Sequence, residues 1–72
     1  MAVTWTPDTM ERLERAIIEE TRVQLRRRGT EYVVIPREIR SRGGAEELRA
    51  TTNAGDELRF ALDEIDGFVV LF

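Results

Sequence analysis

Apolar residues near the start of the chain recur at the spacing of an amphipathic helix. The residues of this apolar stripe are Met10, Leu13, Ala16 and Ile17. Thr6 suits the N-cap position, and Pro7 suits the first helical position because no N–H donor is needed there. The pattern predicts a helix over about residues 7–20.

After this helix the apolar pattern becomes alternating, which predicts β-strands. The predicted strands cover about residues 21–26, 32–35, 47–52, 57–62 and 68–72. Turn-forming residues separate these strands at 28–30, 41–44, 53–56 and 63–67. Pro36 has no N–H to donate to a strand ladder, so it either ends the second strand or marks an edge or a bulge.

A helix followed by five short strands predicts one α+β, mainly β domain over residues 1–72. The tight turns favour a five-stranded antiparallel barrel of the Sm-like or SH3-like type, since closure hides strand edges that would otherwise pair with other chains. The last predicted strand, Phe68–Phe72, is apolar on both faces. We expect it to be central in the sheet, to be covered by the helix, or to form a homo-oligomer interface.

The composition argues against several classes of function. The chain contains neither cysteine nor histidine, which removes disulfides, thiolate metal sites and the commonest general base. No nucleotide-binding or nucleophile motif occurs, and the acids lack the spacing of a calcium loop. We therefore expect no enzyme, no catalytic residue, no metal site and no cofactor. The lack of cysteine, and of any apolar stretch of about 20 residues, favours a cytoplasmic protein with no membrane partner.

Charge is distributed unevenly, although the net charge is only −3. Residues 21–42 contain seven Arg against two acids, whereas residues 1–20 and 43–72 are both acidic. The candidate nucleic-acid-binding residues are Arg22, Arg26, Arg27, Arg28, Arg37, Arg40 and Arg42. These side chains could track phosphates, with Trp5 and Tyr32 as the candidate stacking aromatics. The alternative is a solvent-facing set of Arg that pairs with acids of the third and fourth strands.

Several short motifs occur in the order found in a known family. They are Trp5-Thr6-Pro7 before the helix, Leu13-Glu14 and Ala16 within it, Leu25 and Gly29 at the first hairpin, Ser41-Arg42, Gly55, and Leu62-Asp63-Glu64-Ile65 followed by Phe68. In this order, and over about Leu13–Phe68, the chain resembles the Rof family of Rho-binding antiterminators, which have an Sm-like fold.

The resemblance implies a non-enzymatic module that binds the hexameric helicase Rho and blocks its RNA-loading site. In that family, acidic side chains dock where RNA phosphates would bind. The matching candidate protein-binding residues are Asp8, Glu11 and Glu14 on the helix, with Asp56 and Glu57 at the third hairpin. The basic segment 21–42 departs from a purely acidic surface. A small RNA- or DNA-binding domain and a self-assembling interaction module are therefore the alternatives.

Overall fold

One α-helix and five antiparallel strands make up residues 3–71, the part of the chain that the structure, a computed structural model, describes. The elements in chain order are α1 Pro7–Glu19, β1 Val23–Arg27, β2 Thr30–Arg42, β3 Ala45–Thr51, β4 Glu57–Ala61, a 3₁₀ turn Leu62–Glu64, and β5 Ile65–Val70. The strand order across the sheet is β4-β3-β2-β1-β5. The predicted helix followed by a five-stranded antiparallel sheet is confirmed.

Helix α1 begins and ends as its sequence predicts. The backbone N–H of Thr9 donates to the Thr6 hydroxyl at 3.3 Å, which caps the first turn. The helix ends at Glu20, which adopts a left-handed conformation with φ of 53°. Leu13 and Ala16 are buried on the face that packs onto the sheet. None of the helices within residues 3–71 combines the length and the apolar content needed to cross a membrane.

Strand β2 is much longer than predicted, because Pro36 marks a bulge rather than the end of the strand. The ladder register shifts between Pro36 and Glu38, which lets the chain pass a residue that has no N–H to donate. Residues 30–34 pair with β1, whereas most of residues 35–42 pair with β3. The side chains of Arg37, Arg40 and Arg42, which were predicted to lie in a loop, therefore project from a strand.

Strand β5 also differs from the prediction. It spans Ile65–Val70 instead of residues 68–72, and Phe72 lies outside the described residues. Among the strands of residues 3–71 it pairs with β1 alone and lies at one end of the sheet, so the expectation of a central strand is wrong. The expectation of helix cover is met in part: α1 contacts β5, and Phe68 packs against the core, while the side chain of Val69 is 56% exposed.

The predicted turn at 63–67 is replaced by the 3₁₀ turn and the start of β5. Burial of Ile65, whose side chain is fully enclosed, draws this residue into the sheet. Gly67 then lies opposite Arg26, and a Cβ added at Gly67 would come within 3.1 Å of the Arg26 Cβ. The missing side chain leaves room for the Arg26 side chain to reach Asp66, with Nε 3.4 Å from Oδ1.

The core lies between α1 and the inner face of the sheet. Its buried residues are Leu13, Ala16, Val23, Leu25, Val34, Leu48, Ala50, Phe60, Leu62 and Ile65. Within the described residues, β4 and β5 are the two edges of the sheet and do not pair with each other. The sheet is therefore not closed, in contrast to the complete barrel expected from the sequence.

Candidate protein-binding surface

Three predicted docking acids lie on the solvent side of α1. Asp8, Glu11 and Glu14 follow one another at three-residue intervals, so they share one broad face of the helix, and all three are exposed. The Glu11 carboxylate lies 3.4 Å from the Arg15 guanidinium. Both side chains are about two-thirds exposed, and pairs of this kind contribute little and are readily exchanged for other partners. We call these three acids the acidic helix face.

An exposed apolar residue lies beside these acids. Ile18 is 81% exposed, more than either of the other large apolar side chains on the surface of residues 3–71. It is four residues from Glu14 and seven from Glu11, which places it on the same side of the helix. The acidic helix face thus has an apolar side chain at its margin, a feature that the helical pattern alone did not single out.

The two remaining predicted docking acids, at the third hairpin, differ from each other. The Asp56 backbone N–H donates to the Thr52 hydroxyl at 3.2 Å, and the Asp56 side chain is exposed. Glu57 is held by two guanidinium groups, those of Arg59 at 3.2 Å and Arg49 at 3.4 Å. The hydrogen bond from Arg59, and then that from Arg49, lower the pKa of Glu57 below its usual value of 4.5. Glu57 therefore already has cationic partners, whereas Asp56 is accessible.

Arg37 connects the helix to the base of this hairpin. Its guanidinium lies 3.0 Å from the Glu20 carboxylate at the end of α1 and 3.0 Å from the Thr51 hydroxyl at the end of β3. The hairpin therefore lies near the C-terminal end of α1. Asp8 is twelve residues from Glu20, or about 18 Å along the helix axis. Asp8 therefore lies at the end of the helix away from the hairpin acids.

Most of the basic segment is paired with acids inside the domain. The pairs are Arg26 with Asp66, Arg28 with Glu64, Arg37 with Glu20, and Arg40 with Glu38. Contrary to the expectation, these four Arg do not pair with acids of the third and fourth strands. Their partners lie at the end of α1, on β2, in the 3₁₀ turn and on β5. Within residues 3–71, Arg22, Arg27 and Arg42 have no ion pair. Seven Arg against two acids give residues 21–42 a net charge of +5. Three of the four pairs are with acids outside this segment, so they offset three of those five charges.

Arg27 makes a different set of contacts from its neighbours. Its guanidinium carbon lies 4.8 Å from the centroid of the Phe60 ring and 5.3 Å from that of Tyr32. Its two terminal nitrogens donate to the Arg59 carbonyl at 3.2 Å and to the Tyr32 hydroxyl at 3.4 Å. Both Arg27 and Tyr32, predicted as possible nucleic-acid contacts, are thus engaged in packing the domain.

Trp5, the other candidate stacking residue, is also engaged. Its indole N–H donates to the Leu62 carbonyl at 2.9 Å, and its ring centroid is 5.8 Å from that of Phe68. These contacts tie the segment before α1 to the 3₁₀ turn and β5.

Two further features of the surface leave no pattern in the sequence. The first is a chain of ion pairs across β2, β3 and β4, formed by Arg40, Glu38, Arg49, Glu57 and Arg59. The second is a groove between α1 and β5. Both depend on which strands are neighbours, and alternation along a single strand carries no signal for that.

Comparisons of this chain with protein-family models, with curated proteins and with solved structures returned no match.

Proposed function

We propose that this chain is a non-enzymatic protein-binding module that docks its acidic helix face onto a basic site of a protein partner. The observation that carries the proposal is the contrast between the two charged regions. Two of the three carboxylates of the acidic helix face, those of Asp8 and Glu14, have no ion pair within residues 3–71, and Glu11 has one exposed pair with Arg15. Four of the seven Arg of the basic segment, in contrast, pair with acids of the domain.

The fold type in this proposal is a small barrel of the Sm-like or SH3-like kind with an open seam between β4 and β5. Three features support it. Strands β1 to β4 lie in the sheet in their sequence order, and β5 crosses back from β4 to pair with β1 at the opposite end. In addition, β2 is shared by the two halves of the sheet, and a 3₁₀ turn links β4 to β5. A strand that bends at a bulge and serves both halves is a common way to curve a small sheet.

A Rho-like hexameric helicase is the partner we propose. The resemblance to the Rof family supplies this candidate, and the chemistry of the acidic helix face is compatible with it. A carboxylate offers a guanidinium two acceptor oxygens in the geometry that a phosphate also offers, so acids can occupy a site built for RNA. Ile18 would add an apolar contact beside the charged ones. A helicase partner implies that the chain acts in the cytoplasm.

The nucleic-acid alternative has less support. Five of its seven candidate residues, Arg26, Arg27, Arg28, Arg37 and Arg40, have acidic or aromatic partners within the domain. The four paired carboxylates are exposed or partly exposed and would hold these Arg only weakly, but they lower the positive charge that a phosphate chain would meet. Both candidate stacking aromatics are also engaged in packing.

The experiment is a titration of the Rho hexamer from the same organism with this chain at low salt, with displacement of single-stranded RNA as a second readout. We expect binding at or below tens of micromolar and loss of bound RNA. The triple variant Asp8→Asn/Glu11→Gln/Glu14→Gln should bind about tenfold more weakly or worse, because charged contacts govern encounter and orientation.

The matched control carries the same loss of three negative charges elsewhere. Glu31→Gln/Glu47→Gln/Glu64→Gln changes acids on β2, β3 and the 3₁₀ turn, and should bind like the unchanged chain. No binding at tens of micromolar and low salt would reject the helicase as partner. Equal weakening by both triples would reject the acidic helix face as the docking surface.

A further inference from the structure

The groove between α1 and β5 has a volume of about 560 Å³. One wall is formed by α1 residues, including Arg12, Arg15 and Glu19, and the other by residues 68–70 of β5. Successive side chains of a strand point to opposite faces of a sheet. Three successive residues can line one groove only if the groove runs along the edge of the strand rather than over one face. The groove therefore follows the edge of β5.

The start of this edge is already occupied, because the Ile65 carbonyl accepts a hydrogen bond from the Val3 N–H at 2.8 Å. Further along, the outward backbone groups of Phe68 and Val70 have no partner within residues 3–71. The Leu71 N–H donates to the Arg22 carbonyl at 2.9 Å, which makes this pair a hydrogen-bonded pair of the β1–β5 ladder. Hydrogen-bonded and non-hydrogen-bonded pairs alternate along antiparallel strands, so the N–H and C=O groups of Val69, two residues before Leu71, also face β1. The N–H and C=O groups of Phe68 and Val70 then point away from β1, towards the groove.

The other edge of the sheet, on β4, also has one engaged group. On β4 the corresponding outward carbonyl of Arg59 already accepts a hydrogen bond from the Arg27 guanidinium. An outward strand edge with free donors and acceptors is a template for another strand, and natural edges are usually protected by charges, bulges or cover. The β5 edge differs in that its free groups at Phe68 and Val70 open into the groove beside α1, which makes this part of β5 the place for an added strand.

The charged side chains of the groove indicate which charged residues an added strand would have. Arg15 and Glu19 are four residues apart on α1, or about 6 Å along its axis. Alternate residues of an extended strand are about 7 Å apart and point the same way. An acidic residue facing Arg15, with a basic residue two positions away facing Glu19, matches the charges of the α1 wall, and Arg12 extends the cationic end of the groove.

We propose that the groove binds an extended segment of a partner protein, which adds to β5 as a sixth strand. The segment has an acidic and a basic residue at alternate positions and apolar residues between them. The groove adjoins the acidic helix face, because Arg15 pairs with Glu11, but it takes a partner of different chemistry. Backbone hydrogen bonds to Phe68 and Val70 supply affinity, and the charged pair supplies register.

The experiment follows amide hydrogen exchange by NMR with a defined probe. The probe is a seven-residue peptide, capped at both ends, with Asp at its third and Lys at its fifth position among Val and Thr. In the free protein the amides of Phe68 and Val70 should exchange rapidly and that of Val69 slowly. Saturating peptide should slow exchange at Phe68 and Val70. Arg15→Ala should weaken peptide binding about tenfold, since it removes a charge-assisted contact.

The hydrogen-exchange experiment includes two control peptides and one control variant. A peptide with Asn and Gln in place of Asp and Lys should bind more weakly, and one methylated at alternate backbone amides should not protect Phe68 or Val70. Arg42→Ala, away from the groove on β2, should leave peptide binding unchanged. Unaltered exchange at Phe68 and Val70 in millimolar peptide would overturn the proposal. So would protection that rises with protein concentration alone, which would assign the edge to a second copy of the chain.

Discussion

The Arg27 guanidinium lies over the Phe60 ring, with 4.8 Å between its carbon and the ring centroid. The same group donates to the Arg59 carbonyl, so a side chain from the end of β1 reaches the backbone of β4. These two strands are not neighbours in the sheet. Arg27 thus supplies a polar and cation–π link between two strands that the open sheet leaves without backbone pairing.

Replacing Arg27 should therefore destabilise the domain although the residue is on the surface. We expect Arg27→Ala to lower the free energy of unfolding by about 2 kcal/mol, from the lost cation–π contact and hydrogen bonds. Arg27→Lys should recover less than half, because an ammonium lacks the planar fork. Urea denaturation measures both. The free energy of unfolding of Arg42→Ala should stay within about 0.5 kcal/mol of that of the unchanged chain. If Arg42→Ala destabilised the domain as much as Arg27→Ala, this role for Arg27 would be contradicted.

The first hairpin contains a residue whose backbone conformation does not suit it. Arg28 and Gly29 form the two-residue loop between Arg27 and Thr30, with φ of 52° and 79°. Loops with positive φ at both positions favour Asn-Gly. Arg28→Asn should raise the free energy of unfolding by about 0.5 kcal/mol in urea denaturation, even though it removes an exposed ion pair with Glu64. Arg28→Ala keeps the unfavourable φ and should not stabilise; a stabilising Ala or a destabilising Asn would refute the argument.

Local alternation predicted those parts of the fold that depend on neighbouring residues. Leu13 and Ala16 are buried at helical spacing, and Val23 and Leu25 at strand spacing, as their patterns indicate. The continuation of β2 beyond Pro36 was not predicted because that segment is mostly polar. It is a strand because it pairs with β3, and such a tertiary contact leaves no period in the sequence.

The sequence likewise predicted only those features of the candidate site that depend on nearby residues. Exposure of Asp8, Glu11 and Glu14 follows from the helical pattern. The pairing of Arg26 with Asp66 joins residues forty positions apart and depends on β1 and β5 being neighbours. A run of Arg therefore predicts positive charge in the sequence but not a free positive surface in the fold.

The Glu57 carboxylate should show a pH response that depends on Arg59. Its pKa is lower in the folded chain than its usual value of 4.5, with the hydrogen bond from Arg59 as the largest cause. A lowered folded pKa gives a stabilising contribution that is complete above about pH 4.5 and is lost as the pH falls through the folded pKa. Carbon-13 NMR of the Glu57 carboxyl should show a larger upward shift of its pKa in Arg59→Ala than in Arg49→Ala. The reverse order would contradict the assigned cause.

Salt dependence of RNA binding separates a free basic surface from a compensated one. For single strands, the logarithm of the binding constant falls with the logarithm of salt concentration by about 0.7 for each phosphate neutralised. If only Arg22 and Arg42 are available, the slope should be about −1.4, whereas all seven Arg of the basic segment would give about −5. Fluorescence anisotropy with a labelled uridine oligomer across a salt series measures this slope. We expect the shallow slope. It should fall towards zero in Arg22→Ala/Arg42→Ala and should not change in Arg26→Ala/Arg28→Ala. A slope near −5 would mean that RNA displaces the acids from their Arg partners, and it would favour nucleic acid over protein as the ligand.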